Sequence, residues 1–239
     1  MDICVVMMHA FRPERVKALA FHYLAMAGVA QLLVADSGRS PLVLQPHDRL
    51  RTLRMSHDPG LYLRFAAAAL APADPVLLVD DDIEIPEATI CELHRRWAAQ
   101  PGGVHGIFGR APGATYEPRD VHGPCEIVLT RCAMASRRLC ALALANGLEL
   151  LRTCPGEPRG NGEDIVLSYT ALANGADANY AHRLPYANAG HNDAVSISVR
   201  NASHRAHRTA VVAWCRGRLF SENRSYAHNL RHDLPQPAV

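Results

Sequence analysis

The chain has no run long and apolar enough to span a bilayer, no cysteines at CxxC spacing, no low-complexity tract, and no glycine in the turn behind its first apolar run. Each absence removes a class of protein. The opening apolar run, residues 3–8, falls far short of the about 20 residues that a spanning helix needs. Asp2 stands where a secretory leader carries base, which predicts a cytoplasmic protein. The seven cysteines (Cys4, Cys91, Cys125, Cys132, Cys140, Cys154 and Cys215) are odd in number and sit mostly inside apolar runs. They read as reduced core thiols, which excludes a disulfide frame or a zinc site. The connection His9-Ala10-Phe11-Arg12 lacks the glycines of a P-loop or dinucleotide cradle. His191, His204 and His207 form no tight metal-hydrolase motif. A formal net charge of +2 asks for no nucleic-acid partner, although arginine and histidine gather after residue 199.

What is present is ordinary in bulk and specific in place. With 239 residues, 49% of them hydrophobic and 20% charged, the chain suits a globular α/β domain with a sizeable core. It is organised around Pro75-Val76-Leu77-Leu78-Val79-Asp80-Asp81-Asp82-Ile83-Glu84-Ile85-Pro86. Four apolar residues without polar alternation predict a parallel strand buried on both faces, and three carboxylates then stand at its C-terminal edge. That edge is where open α/β sheets bind ligands. Adjacent carboxylates repel, and hard oxygen ligands favour Mg2+ or Mn2+ shared with ligand phosphates. Alternation along an extended backbone predicts Asp80 and Asp82 on one side and Asp81 on the other.

Residues 3–8 and 31–35 predict the first two strands, with a short third at 42–44, and 13–27 has helical spacing. Helices are expected over 61–70, over 86–99 with Pro86 in the first turn, and over 133–145, where Asn146-Gly147 ends the last. Strands are expected at 104–108 and 125–130. The Gly/Pro-rich segment 109–124 between them reads as a functional flap. Arg12 offers a fixed charge behind the first strand, and Arg64 is set in an apolar helix where it needs an acidic or phosphate partner. In Asn161-Gly162-Glu163-Asp164, Asn161 is the expected cap of a helix whose first turn carries two acids, either as capping charges or as a catalytic carboxylate. Ser203 is the expected cap of a helix on which His204 and Arg208 share a face. Residues 1–220 read as one domain and 221–239, with Pro235 and Pro237, as a polar tail.

Taken together, Leu77-Leu78-Val79-Asp80-Asp81-Asp82, Asn161-Gly162-Glu163-Asp164-Ile165-Val166 and His204-x-x-x-Arg208 resemble the exostosin-like glycosyltransferases, glycosyltransferase family 64. His9-Ala10-Phe11-Arg12 and Arg64, sixteen residues before Asp80, join the likeness, which runs from about residue 2 to 220. The resemblance implies the nucleotide-diphospho-sugar transferase fold called GT-A, an α/β Rossmann-like mixed sheet flanked by helices. It implies retaining transfer of a sugar such as N-acetylhexosamine from a UDP-sugar to a glycan or small-molecule acceptor. By the same resemblance Asp80, Asp81, Arg12 and Arg64 contact the nucleotide, and Asp82, with Asp80, ligates Mn2+ or Mg2+. Asp164, next to Glu163, lies beside the anomeric carbon, and Arg208 with His204 holds the leaving diphosphate. Pro59 and Leu63 replace asparagines of the family pattern. Gly162 and Val211 replace two cysteines, so no disulfide can join those positions. Two other functions place different demands on these residues. A sugar-phosphate nucleotidyltransferase would need a triphosphate-gripping loop, which 9–12 does not supply. A GT-A domain that binds nucleotide sugar or glycan without turnover would differ only in donor hydrolysis.

Overall fold

The computed structural model describes residues 2–39, 41–117, 119–154, 161–189 and 203–220. The expected tail at 221–239 lies outside the described residues. Strand β1 (Ile3–His9), helix α1 (Pro13–Leu24) and strand β2 (Val29–Asp36) open a parallel wind, which continues through β3 (Leu50–Arg54), α2 (Leu63–Ala69) and β4 (Val76–Val79). A short β5 (Ile83–Glu84) leads into α3 (Glu87–Ala99). The short strands β6 (His105–Gly106), β7 (Gly109–Arg110), β8 (Asp120–Val121), β9 (Gly123–Cys125) and β10 (Ile127–Val128) follow. Then come β11 (Cys132–Ala135), α4 (Arg137–Thr153), α5 (Glu163–Ala173), β12 (Asn179–Ala181), β13 (Ala187–Asn188) and α6 (His204–Leu219).

The main sheet has the order β3-β2-β1-β4-β11-β6-β12-β9. Strands β3, β2, β1 and β4 run parallel, and β11 lies antiparallel to both β4 and β6. Both faces are covered, so alternate residues of the central strands enter two separate cores. Cys4, Val6, Val76 and Leu78 pack beneath α2, α4, α5 and α6. Ile3, Val5, Leu77 and Val79 pack against α1 and α3. Among the described residues, no helix is long and apolar enough to cross a membrane.

Several expected elements are corrected. No strand forms at 42–44: the backbone N–H of Leu42 instead donates to the Asp36 carboxylate at 3.0 Å, and Val43 is exposed. The third strand is β3, an edge strand on which Arg51 is exposed and Arg54 pairs with Asp36 at 2.9 Å. The expected strand at 104–108 pairs only over His105–Gly106, and the one at 125–130 divides between β9, paired with β12, and β10, paired with β7. Pro86 is the cap residue rather than the first helical residue of α3. The expected helix at 133–145 begins as β11, because a short apolar run between two neighbouring strands satisfies either period. Ser136 then caps α4, accepting from the Leu139 N–H at 3.1 Å.

That helix runs through Asn146-Gly147 to Thr153, and Gly147 has a packing role rather than a stopping one. A Cβ there would lie 2.1 Å from the buried ring of Tyr62. Gly147→Ala is therefore expected to lower unfolding free energy by about 1–3 kcal/mol, read as a lower urea midpoint at unchanged slope.

A second buried polar group lies away from the acid triplet. His105 and His182 stack with ring centroids 5.3 Å apart, joined Nδ1 to Nε2 at 3.1 Å, and Arg96 reaches the other nitrogen of His182 at 2.9 Å. Burial, with the nearby His105 and Arg96, lowers the His182 pKa to about 4, and burial also lowers that of His105. The folded state thus holds both rings neutral, whereas the unfolded chain takes up protons below about pH 6.5. Stability present at pH 7 is lost as pH falls from about 6.5 towards 4. His182 alone is expected to contribute a loss of about 2 kcal/mol between pH 7 and pH 5, a loss that chemical denaturation should find reduced in His182→Gln.

Candidate active site

In the parallel part of the main sheet the order reverses at β1, with β2 on one side and β4 on the other. The crevice between the C-terminal ends of β1 and β4 is the switch point where such sheets bind ligands. A hollow of about 540 Å³ opens there, within the range of ligand pockets. Its lining includes every residue singled out from the sequence: Arg12, Arg64, Asp80, Asp81, Asp82, Glu163, Asp164, His204 and Arg208.

The strand stops at Val79, so Asp80-Asp81-Asp82 is a turn and not an extended chain. The expected alternation therefore fails, and all three carboxylates reach the same hollow. Each meets an arginine from a different part of the fold. Arg64 on α2 donates from Nη2 to Asp80 at 3.0 Å, and Arg12, just before α1, pairs with Asp81. Arg131, in the turn between β10 and β11, donates from Nε to Asp82 at 3.0 Å. Burial opposes the Arg64 charge, but Asp80 and Glu163 outweigh it and raise the pKa, so this guanidinium stays charged. Burial also pushes the Asp81 carboxyl up to about 6 against the pull of Arg12.

Across the hollow, α5 begins at Gly162, whose φ of +101° is left-handed. A Cβ there would lie 3.2 Å from Val211 of α6, so glycine serves both the turn and the close approach of the helices. Asn161 does not cap its own helix as expected; it fastens α6 instead. Its Nδ2 donates to His204 Nδ1 at 2.9 Å, its carbonyl accepts from His207 Nε2 at 2.8 Å, and its Oδ1 accepts from Arg208 at 3.3 Å. Asp164 accepts from Arg208 Nη2 at 2.6 Å, and both side chains are almost wholly buried. Arg208 also lies 4.3 Å over the ring of Tyr116, in the segment between β7 and β8. Glu163 accepts from Thr130 Oγ1 at 2.7 Å, and burial, opposed by Arg64 and reinforced by Asp164, raises its pKa.

Within the expected flap at 109–124, Gly109–Arg110 and Asp120–Val121 pair as β7 and β8 in a small sheet with β10, and Gly123 and Pro124 belong to β9. Arg110 and Tyr116 from this segment line the hollow. Sequence reasoning missed these two as well as Arg131. The signal for Arg131 was readable: it is a lone charge between the buried runs 127–129 and 132–135, the situation that singled out Arg64. Six arginines and six carboxylates line the hollow in all. Arg64, Arg110 and Arg208 each hold a buried Nε with no partner among the described residues, so the site has donors to spare for an anion.

The whole chain can be set beside known proteins. The mannosyltransferase PcManGT from Pyrobaculum calidifontis, solved in complex with GDP-Man and Mn2+, matches with a TM-score of 0.53 and 13% identity over 98% of this chain and 76% of that one. The fold is GT-A-like. No protein-family model and no curated protein matches the sequence. The order of the main sheet, the crevice at its switch point and the acid triplet at the end of β4 together give this GT-A-like chain its candidate site.

Among the described residues, no three His, Cys, Asp or Glu side chains converge as a dedicated metal cage. A Mg2+ or Mn2+ ion that keeps waters and takes phosphate oxygens needs only one or two protein carboxylates. Asp82 and Asp80, both lining the crevice, fit that kind of site.

Proposed function

We propose that the chain is a divalent-metal-dependent glycosyltransferase that moves a sugar from a nucleotide-diphospho-sugar to an acceptor hydroxyl, and that it is an exostosin-like enzyme acting with retention. The observation that carries the reading is the meeting, in one hollow at the sheet's switch point, of the acid triplet and the buried Asp164–Arg208 pair. The donor proposed from the sequence is a UDP-sugar carrying N-acetylhexosamine. GDP-mannose, bound by the structurally similar mannosyltransferase, is the alternative that the same test screens.

In this reading Arg12, Arg64, Asp80 and Asp81 grip the nucleotide, and Asp82 with Asp80 would hold Mn2+ or Mg2+ against the diphosphate. Such an ion neutralises charge on the departing diphosphate. Arg208 and His204, at the start of α6, bind and orient that diphosphate, and Arg208 supplies fixed positive charge where negative charge develops. The Asp164 carboxylate, held by the Ile165 N–H at 2.8 Å and by Arg208, is aimed by two donors and stabilises the oxocarbenium-like centre. Tyr116 and the wall of β7 and β8 keep water from that centre. A second hollow of about 430 Å³, lined by Phe108, Asp120, His122 and Tyr186 among others, is the proposed seat of the acceptor. An aromatic face beside polar groups suits a sugar ring.

Wild-type protein given UDP- or GDP-sugars without acceptor is expected to release nucleoside diphosphate slowly in Mn2+ and not in chelator. Absence of release from every donor in Mn2+ would favour a domain that binds without turnover.

A further inference from the structure

Asp82 already has a cation, and it belongs to the protein. Arg131 donates from Nε to Asp82 at 3.0 Å, and the two side chains are only 12% and 9% exposed. The guanidinium is steadied on its other sides. Its Nη2 donates to Asn188 Oδ1 at 2.8 Å, and its central carbon lies 4.8 Å from the Phe108 ring centre and 6.0 Å from that of Tyr186. Backbone pairing makes this a unit with the acid turn. The Asp80 N–H donates to the Arg131 carbonyl at 3.1 Å, β13 pairs Asn188 with Ile83, and the Ala189 N–H donates to the Asp82 carbonyl at 2.8 Å.

A divalent ion arriving at Asp82 would share one carboxylate with this guanidinium, and two cations so placed repel at low local dielectric. Expelling Arg131 without a new partner leaves a charge in a mostly buried place, which is costly. A diphosphate removes both difficulties: its oxygens match the guanidinium fork, and they also ligate the ion.

Resting on the glycosyltransferase reading above, we propose that Arg131 is the resident counter-ion of Asp82 and yields it to a divalent ion only when a ligand diphosphate receives the guanidinium. Metal and nucleotide then bind with positive coupling, and linkage makes that coupling reciprocal. An empty site holds metal poorly, and the ion enters with the donor.

Mn2+ titration of the full chain, followed by loss of the free-ion electron paramagnetic resonance signal, tests this with Mn2+ alone and with UDP or GDP added. Wild type is expected to bind Mn2+ at least about tenfold more tightly with nucleotide than without. Arg131→Met, which keeps an apolar stem against Phe108 and Tyr186, is expected to bind Mn2+ alone at least about tenfold more tightly than wild type and to lose most of the nucleotide effect. Arg131→Lys keeps the charge and the fold and is expected to stay near wild type with Mn2+ alone. Equal Mn2+ affinity in wild type and Arg131→Met would overturn the inference while leaving a metal-nucleotide site in place, whereas wild-type affinity indifferent to nucleotide would overturn both, because the coupling is reciprocal. Absence of Mn2+ binding to wild type even with both nucleotides would overturn the glycosyltransferase reading together with it.

Discussion

Arg208→Met is expected to lower unfolding free energy by about 3–5 kcal/mol and to abolish donor turnover. The stability loss follows from burial. Asp164 is 4% exposed and Arg208 5%, and their 2.6 Å ion pair neutralises a carboxylate almost wholly withdrawn from water. Burial works against the Arg208 charge, yet Asp164, Tyr116 and Glu163 hold its pKa above the ordinary arginine value, so this guanidinium stays charged. Removing the cation alone leaves Asp164 charged, buried and next to Glu163. The double variant Asp164→Asn/Arg208→Met has no buried charge at these two positions and should regain most of the lost stability. It should not regain turnover. Urea denaturation of wild type, both single variants and the double variant completes the cycle. Additive losses would show that the two side chains do not act as a pair.

The second large effect is on chemistry. Asp164→Asn keeps size and shape but removes the negative charge proposed to face the anomeric centre. Turnover of a nucleotide-sugar donor is expected to fall by about 10²–10³. Affinity for the nucleoside diphosphate should not fall, since Arg12, Arg64 and Asp80 are kept and Arg208, proposed to hold the diphosphate, loses a competing carboxylate. The measurement is donor hydrolysis beside nucleotide binding on the same preparation, with circular dichroism to confirm the fold. Unchanged turnover with unchanged binding would remove Asp164 from the mechanism.

Much of the fold was legible because the central strands are short apolar runs buried on both faces, and β1 and β4 stand out against polar neighbours. The acid triplet, the Gly162-Glu163-Asp164 turn and Arg208 were legible for a similar reason: charges adjoining apolar runs need partners, and here they partner one another. What misled was local periodicity without neighbours. Cys132–Ala135 is strand because β4 and β6 flank it, and nothing in its own residues distinguishes that from the first turn of a helix. Asn146-Gly147 resembles a helix stop, yet the glycine is required by Tyr62 from another helix's cap. The alternation expected of Asp80 to Asp82 failed because the strand ends one residue before them. For Arg131 the flanking apolar runs signalled the need for a partner but not which one: long-range pairing brings the turn between β10 and β11 against Asp82, forty-nine residues away in sequence.

Every functional expectation above depends on a metal-nucleotide site on the acid triplet. Calorimetric titration of UDP and of GDP into wild type and Asp82→Ala, each with Mn2+ and with chelator, tests it directly. One of the two nucleotides should bind wild type at least about tenfold more tightly in Mn2+ than in chelator, and Mn2+ should make no difference to Asp82→Ala. Binding of neither nucleotide to wild type in Mn2+, or binding equally indifferent to Mn2+ and to the substitution, would contradict the account.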